Sequence, residues 1–480
     1  MGDSHHTPLR PTFNGSLAVE GRGDRLTPLA GTILLRELDE RLGVTASLAA
    51  SLEDVRESGK VQHSLTSLLR TWTYTMACQR TTQTAAEGLR DDSVLRLAAS
   101  DRRGLTPLDE SGELASQPTL SRLLASLTSD RNLAVLEDGL FDSARRAVHA
   151  MRGGKKLGAV TLDIDSFPHE VFGSQPGSDW SAHYARRCYH PLGVVLGETG
   201  HWLGLKLRPG SVHTADGAAA LLLPLIDRVE DELGEVADVR GDAGFVGPEL
   251  LDGLEGREVR YAFRLPTNKV LGQLAEPHVF RPVGRPPKEP RTWCTELSYR
   301  AATWDEPRRV ILVVCERPGE LYLHSFFIVT SFTRQELDAD AVLDYYRERG
   351  TMEGHIGEHQ SVMSGRLSST NRPKSRIKNY PVKERSEPID AERANAAALL
   401  LHGIAFNLLN TLRLVAGASG KVDEPAHLHL RRAREELLAV AGRVVVSARR
   451  ATLVVTSRTA ALWSRLWKAL RRLEPIAAAN

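Results

Sequence analysis

Apolar residues recur every three to four positions through much of residues 28–152, which is the spacing of one face of an α-helix. The pattern is clearest in TILLRELDERL (32–42), LTSLLRTWTYTM (65–76) and SQPTLSRLLASL (116–127). The last of these segments carries Ser116 and Pro118 where a helix start favours them. We therefore predict that the amino-terminal third of the chain is helical.

The period changes to two in TLDIDSF (161–167), which indicates a β-strand. Leu162 and Ile164 face one side of this strand, and Asp163 and Asp165 face the other. Two more apolar runs follow, then a long amphipathic helix and a strand that breaks into a glycine-flanked turn at Asp242. The full order, strand-strand-strand-helix-strand-helix-strand, is that of an RNase H-like domain. We therefore predict an α/β fold with an RNase H-like catalytic core.

Further β-like segments interrupt this plan before helical periodicity returns near QELDADAVLDYYRERG. The predicted domains follow these changes in pattern. They are a helical amino-terminal region that would bind DNA (1–155), the first part of the core (156–265), a β-rich insertion (266–335), the second part of the core (336–415) and a basic helical carboxyl-terminal region (416–480).

The composition is that of an ordinary globular protein, with 41% hydrophobic and 25% charged residues among 480. No uninterrupted apolar stretch approaches the roughly 20 residues of a membrane span, and the first thirty residues lack the apolar core of a secretory signal. We therefore expect a cytoplasmic protein without a membrane partner. The cysteines are widely separated, so we expect reduced thiols and no disulfide or zinc knuckle: Cys78, Cys188, Cys294 and Cys315.

The net charge of +2 conceals two basic segments. Residues 431–472 contain eleven Arg and Lys against Glu435 and Glu436, and RPVGRPPKEPR (281–291) is also rich in proline. One such run alone would be a solvated face, but two in a nearly neutral chain favour a polyanionic partner. A short helix near residue 122 could supply base contacts, although any capped amphipathic helix has the same pattern.

Residues 345–360, YYRERGTMEGHIGEHQ, contain two patterns that predict different chemistry. His355, Glu358 and His359 form H-x-x-E-H, the inverted motif of zinc metallopeptidases, in which two histidines one turn apart hold zinc. A zinc metallopeptidase is therefore a distant alternative function. A third ligand would still be needed, for which Glu435 or Glu436 is a candidate. Glycines inside this helix, at about 1 kcal/mol each, argue against the zinc site. Histidines that face solvent or phosphate are the simpler interpretation.

The second pattern is Y-x-x-R-x-x-x-E, formed by Tyr346, Arg349 and Glu353, and it resembles the last acidic segment of DDE transposases. Spacings of three, four and seven residues would put these side chains and Gln360 on one helical face. Phosphoryl transfer on DNA uses two divalent metals about 4 Å apart, which carboxylates from separate elements can hold. In an RNase H-like sheet, Asp165, Asp242 and Glu353 would converge.

Matching segments extend over most of the chain and include HSLTSLLRTWTYTMACQ, CYHPLGVVLGETG, LRPGSVHTADGAAALL, VRGDAGFVGPELL and YYRERGTMEGHIGE. Together they resemble bacterial insertion-sequence transposases of the DDE class, specifically the group-one DDE transposases with a Y-R-E-K signature. The resemblance implies binding to terminal inverted repeats, metal-dependent cleavage and transfer of 3′-hydroxyls to target DNA. It also implies a homodimer in the active complex and a location at the bacterial nucleoid. A related nuclease, or a transposase that binds ends without cutting, is the alternative.

This resemblance implies that Asp165, Asp242 and Glu353 are the catalytic residues and hold two Mg²⁺ or Mn²⁺ ions. The expected DNA contacts are Tyr346, Arg349, Gln360, Arg122, Arg281, Arg285, Lys288, Arg291, Arg449 and Arg450. Two points depart from the family pattern. Gln360 occupies the position of the signature lysine, and Asp163 shares a strand face with Asp165 although only one of them should be the first carboxylate. The D-x-S/T form of the family motif favours Asp165, which leaves Asp163 as a supporting partner or a paired strand residue.

Overall fold

The fold is described from a computed structural model of the chain. The described residues are 12–13, 16–18, 24–80, 82, 85, 87–101, 114–171, 173, 175–285, 287–363, 367–369, 390–418, 429–447 and 450–475. Arg449, one of the expected DNA contacts, lies outside them.

Strands and helices alternate largely as the sequence predicts. The strands are β1 (Arg25–Thr27), β2 (Ala159–Ser166), β3 (His169–Glu170), β4 (Asp179–Ser181), β5 (Arg186–Tyr189), β6 (Leu192–Leu196), β7 (His201–Lys206), β8 (Glu235–Gly241), β9 (Arg260–Leu265), β10 (Arg291–Tyr299), β11 (Arg308–Glu316), β12 (His324–Thr330), β13 (Gly442–Ser447) and β14 (Arg450–Val454). The helices are α1 (Thr32–Leu42), α2 (Val44–Ser51), α3 (Leu65–Ala77), α4 (Ser93–Ala99), α5 (Gln117–Ser126), α6 (Asp130–Met151), α7 (Ala218–Glu232), α8 (Pro248–Glu255), α9 (Lys269–Ala275), α10 (Ala339–Arg347), α11 (Gly350–Met363), α12 (Ala391–Ala418), α13 (Leu430–Leu437) and α14 (Ser457–Arg472).

Within the described residues, eight strands form one mixed sheet in the order β10-β11-β12-β9-β8-β2-β6-β7. The strands β2, β8 and β9 are parallel, whereas β6 runs antiparallel to both β2 and β7. The five strands β7-β6-β2-β8-β9, with α7 and α8 in the crossovers, have the order and directions of an RNase H-like core. The predicted fold class is therefore confirmed.

The insertion enlarges this same sheet. Its antiparallel strands β10, β11 and β12 join the core because β12 pairs with β9, Phe327 opposite Leu265. Helices α7 and α8 cover one face of the sheet through an apolar core that includes Leu162 and Ile164. The opposite face, toward which Asp163 and Asp165 point, carries α10 over the insertion side and α12 over the β7 side.

The long helix α12 is the axis of the helical part of the protein. It packs against α3, α6 and β7 and shares one apolar core with the amino-terminal helices and with α14. Among the described helices, α12 alone is long and apolar enough to cross a membrane, but 94% of its most apolar window is buried inside the fold. It is a core helix. The amino- and carboxyl-terminal regions also meet in a small sheet, where β1 pairs with β13.

Asn407 of α12 lies against the β7 edge of the large sheet, which is buried. Its Oδ1 accepts a hydrogen bond from Trp202 N at 2.8 Å, and its Nδ2 donates to Trp202 O at 2.8 Å. The carboxamide therefore imitates a neighbouring strand and satisfies two backbone groups that would otherwise be buried without partners. This contact fixes the helical part of the protein against the edge of the core.

The stretch that carries the two site patterns is not the continuous helix that its spacing predicts. Helix α10 ends at Arg347, and α11 begins at Gly350. Between them Glu348 N and Arg349 N donate to Tyr345 O and Tyr346 O, which are the tighter bonds of a 3₁₀ turn. The prediction that Tyr346, Arg349, Glu353 and Gln360 share one helical face was therefore wrong, because they lie on two helices and the turn between them.

Candidate active site

Two of the predicted carboxylates lie at the same edge of the sheet. Asp165 is near the carboxyl end of β2, and Asp242 directly follows β8, which runs parallel beside β2. The side chain of Asp242 caps a short 3₁₀ turn, with Oδ1 accepting from Gly244 N at 2.8 Å. A side chain at Gly244 would collide with Thr214, so this turn needs glycine there. Parallel strand ends are where ligands bind in open α/β sheets.

Arg349 links the strand carboxylate to the helix carboxylate. Its Nη2 lies 2.7 Å from Asp165 Oδ2, and its Nη1 lies 2.7 Å from Glu353 Oε1. The Asp165 and Arg349 side chains are nearly buried, at 8% and 12% exposure, whereas Glu353 is 64% exposed. The site is therefore closed on the sheet side and open to solvent at Glu353.

Burial raises the pKa of Asp165 to about 6, against the opposing effect of the Arg349 guanidinium. The charges of Asp242 and Glu353 raise this pKa further. Asp165 thus lies within electrostatic reach of both Asp242 and Glu353, although the three come from different elements. Such repulsion between carboxylates favours binding of a cation.

The donor set fits a hard divalent cation. Carboxylate oxygens are the ligands that Mg²⁺ and Mn²⁺ prefer, and Asp165, Asp242 and Glu353 supply them from the strand ends and α11. Among the described residues, no three His, Cys, Asp or Glu side chains are gathered closely enough to hold a metal as they stand. In this arrangement the positive charge beside Asp165 and Glu353 is the Arg349 guanidinium.

Asp163 has a different environment from Asp165. It faces Arg240 across β2 and β8, and the two side chains form a bidentate pair, with Nε to Oδ1 at 2.8 Å and Nη2 to Oδ2 at 3.0 Å. Arg240 also reaches Glu348 Oε2 at 3.0 Å and lies over the Tyr345 ring. Both oxygens of Asp163 are thus held by one buried guanidinium in a bidentate pair, whereas Asp165 lies closer to the end of β2 beside Asp242.

Sequence reasoning missed the role of Arg240, which is buried and not a surface strand residue. It ties the sheet to the turn that carries Arg349, through Glu348 and Tyr345. The signal in the sequence was two opposite charges at inward positions of two predicted neighbouring strands. Only the register between those strands identifies them as partners.

The remaining signature residues lie around the same edge. Burial raises the pKa of Tyr346, whose phenol also senses Arg349, Asp242 and Asp165. Gln360 Nε2 donates to Pro168 O at 2.9 Å, so this side chain holds the loop after β2. Tyr184, which is not a signature residue, is close enough to feel the same carboxylates. Burial raises its pKa, and the charges of Asp165 and Asp242 raise that pKa further.

The two histidines of H-x-x-E-H lie in different surroundings. His359 is 2% exposed and lies among Phe167, Trp202 and Phe406, and burial lowers its pKa to about 3. The expectation of a histidine that faces solvent or phosphate was therefore wrong for His359. His355 lies against Gly200.

Glu358 pairs with His355 of the motif, with Nδ1 4.0 Å from Oε2, and its Oε1 accepts a hydrogen bond from Leu430 N at 2.7 Å. Glu435 and Glu436 pair with Arg431 and Arg432 on α13. This geometry opposes a zinc site formed by the motif.

Some of the expected DNA contacts are exposed cations, whereas others pair with residues of the protein itself. Arg122, Arg285, Lys288 and Arg450 are exposed. Arg281 and Arg291 instead pair with the buried Glu316, and Arg281 also donates to the Glu320 and Leu321 carbonyls. The basic insertion segment is thus partly fastened to its own sheet.

Helix α14, which lies in the basic segment 431–472, has one apolar face and one basic face. Trp463, Leu466 and Leu470 are buried against the helical core. The exposed side carries Arg458, Arg465, Lys468, Arg471 and Arg472. The helix contains no acidic residue.

Comparison with known proteins gives one family and a distant structural likeness. The family described as transposase DDE domain, group 1, matches residues 9–478. No curated protein matches the chain. Among solved structures, a piggyBac transposase synaptic complex with hairpin DNA shares 11% identity, covering 85% of this chain and 80% of that chain with a TM-score of 0.40. This TM-score indicates only a distant likeness, and the RNase H-like fold is identified from the strand order of the sheet.

Proposed function

The chain belongs to the family of group 1 transposase DDE domains, and we propose that it binds the terminal inverted repeats of its element, cleaves the DNA ends and transfers the 3′-hydroxyls to target DNA. The family generally uses divalent metal ions. The finer proposal is two Mg²⁺ or Mn²⁺ ions held by Asp165, Asp242 and Glu353. The observation that supports it most is the meeting of Asp165, Asp242 and the Arg349–Glu353 pair at one sheet edge.

Each of these side chains has a distinct part in the proposal. Asp165 and Asp242 would hold cations from the rigid strand ends, and Glu353 would complete the ligand set from α11. When bound, the ions would activate a water or 3′-hydroxyl and stabilise the leaving oxygen. Asp165 must be ionised for this, and the positive charge of Arg349 favours the ionised form.

DNA would approach from the solvent side of the site. Glu353 is open there, and Tyr346 and Arg349 lie on the same side as the two strand aspartates. A guanidinium can bind a phosphate through two parallel hydrogen bonds, so Arg349 would align the backbone being cut. A dimer is proposed because the two ends of an element must be held together.

The direct test uses purified full-length protein, Mg²⁺ or Mn²⁺ and labelled duplexes that carry the inverted repeats flanking the gene. We expect nicking at the repeat ends. Glu353→Gln, Asp165→Asn and Asp242→Asn should each lower cleavage by at least about a hundredfold, or 2.7 kcal/mol of barrier, while end binding survives. Asp344→Asn is the matched control, because Asp344 is an exposed carboxylate of α10 that pairs with Arg347.

Three outcomes separate the alternatives. Binding to the repeats without nicking by the wild type would identify an end-binding protein that does not cleave. Nicking of unrelated duplexes at the same rate would identify a general nuclease. Equal cleavage by Glu353→Gln and Asp344→Asn would overturn the assignment of Glu353.

A further inference from the structure

Arg349 occupies the position of a shared counterion in the site. Each terminal nitrogen of its guanidinium is bonded to a different carboxylate, Nη2 to Asp165 and Nη1 to Glu353, both at 2.7 Å. Asp165 comes from β2 and Glu353 from α11, and among the described residues no side chain other than Arg349 forms hydrogen bonds to both. The guanidinium is therefore what connects the helix carboxylate to the sheet.

The same contact competes with a cation. Asp165 Oδ1 accepts from Ser166 N at 2.8 Å, and Asp165 Oδ2 accepts from Arg349. Each oxygen of Asp165 is thus already engaged, and a cation that takes Oδ2 must share it with a positive guanidinium or displace it. Two positive charges that share one carboxylate oxygen repel each other, which favours displacement of the guanidinium by the cation.

The displaced guanidinium has an alternative partner in the proposed reaction. No acceptor within the described part of the chain bonds to Arg349 Nε, although this nitrogen is buried. Arg349 is located in the turn between α10 and α11, so the guanidinium can move without disrupting a helix. A DNA phosphate offers two acceptor oxygens, which match the donor geometry of a guanidinium.

We propose that Arg349 is an exchangeable counterion: it bridges Asp165 and Glu353 in the metal-free protein and transfers to a DNA phosphate when divalent cations bind. This proposal rests on the proposed function, because it assumes that these carboxylates bind the cations. It has one thermodynamic consequence. DNA, by drawing Arg349 from Asp165, strengthens cation binding, and cations strengthen DNA binding by the same factor.

The test measures binding of Mn²⁺ alone to the full-length protein, by electron paramagnetic resonance, without DNA and without turnover. Arg349→Gln removes the bridge and the charge, and Arg349→Lys keeps the charge but replaces the two terminal nitrogens that hold the two carboxylates with one ammonium nitrogen. We expect both variants to bind Mn²⁺ about tenfold more tightly than the wild type, equal to 1.4 kcal/mol. Arg347→Gln is the matched control, because Arg347 is 55% exposed and pairs only with the exposed Asp344 among described residues.

A second measurement adds a short random-sequence duplex. The wild type should gain Mn²⁺ affinity from the duplex, and Arg349→Gln should gain at least about threefold less, because its bridge is already absent. Thermal unfolding of each variant confirms that it is folded before binding is compared.

The outcomes separate this inference from the proposed function. If Arg349→Gln and Arg349→Lys bind Mn²⁺ no more tightly than the wild type, while Glu353→Gln loses binding, the exchange is overturned and the metal site stands. If only Arg349→Gln binds more tightly, net charge explains the effect and bridging is overturned. Mn²⁺ binding that is absent from the wild type and every variant would overturn both the inference and the proposed metal site.

Discussion

Asp163 and Arg240, opposite each other on β2 and β8, form a buried bidentate pair whose side chains are 2% and 6% exposed. Arg240 extends from this pair to Glu348 and the Tyr345 ring, just before Arg349. One buried guanidinium therefore positions the turn that a second guanidinium, Arg349, uses to reach Asp165. Two aspartates on one strand face thus have different partners, Asp163 with Arg240 and Asp165 with Arg349.

Asp163→Asn should destabilise the protein more than it affects any ligand directly. Loss of one partner from a buried ion pair leaves a charge without compensation and costs about 3 kcal/mol. Urea unfolding measures this change in the free energy of unfolding. Asp344→Asn, which breaks an exposed pair, should cost less than about 1 kcal/mol. Equal costs for the two variants would mean that the Asp163–Arg240 pair does not stabilise the fold.

The sequence was sufficient to predict the sheet but not the contacts that organise its edge. Alternating apolar positions identified β2, because a strand with one apolar face leaves that pattern in the sequence. The break between Arg347 and Gly350 left no comparable signal, since the segment keeps helical spacing across it. Asn407, in the middle of the apolar helix α12, gave no indication that it would pair with Trp202.

The candidate site divides in the same way. The motif predicted Asp165, Asp242 and Glu353, and the topology brings the first two to one sheet edge. The motif also favoured Asp165 over Asp163, but the partner of Asp163 follows from strand register, which places Arg240 opposite it. Register is a property of the assembled sheet and cannot be read from either strand alone.

Gln360→Lys should strengthen DNA binding without changing specificity. Gln360 Nε2 donates to Pro168 O, and a lysine can retain a donor there while it adds the positive charge that the family signature has at this position. A new phosphate contact should steepen the slope of log K against log salt by about 0.9. The affinity of the wild type and the variant for repeat and random duplexes, measured over a salt series, checks this expectation. Gln360→Glu, with the opposite charge, is the matched control, and a steeper slope for it as well would contradict the idea.

The exposed face of α14 should contribute to binding of any duplex. Arg458→Gln, Arg465→Gln and Lys468→Gln combined should lower the salt slope by about 0.9 for each DNA phosphate that the variant no longer binds. The triple variant should bind repeat and random DNA more weakly by the same factor, because phosphate contacts carry no sequence information. Arg431→Gln with Arg432→Gln is the control, since these cations are already neutralised by Glu435 and Glu436. An unchanged slope in the triple variant would make this face a solvated surface.

His359→Phe should stabilise the protein and leave DNA cleavage within about tenfold of the wild type, or 1.4 kcal/mol of barrier. His359 is buried among aromatic rings, and its Nδ1 has no partner within the described residues, so removing that nitrogen should gain about 1 kcal/mol at neutral pH.

His359 should also make the stability of the protein depend on pH. Burial lowers the pKa of His359 to about 3, whereas in the unfolded chain it is about 6.5. The protein therefore keeps its full stability above the pKa of the unfolded chain. It loses stability as the pH falls from that pKa toward the pKa of the folded protein, because only the unfolded chain takes up the proton. His359→Phe removes this loss, so urea unfolding between about pH 7 and 5 should show a shallower decline, by up to 1.4 kcal/mol per pH unit. Stoichiometric zinc that is lost with His359, together with cleavage, would contradict this assignment and restore the H-x-x-E-H site.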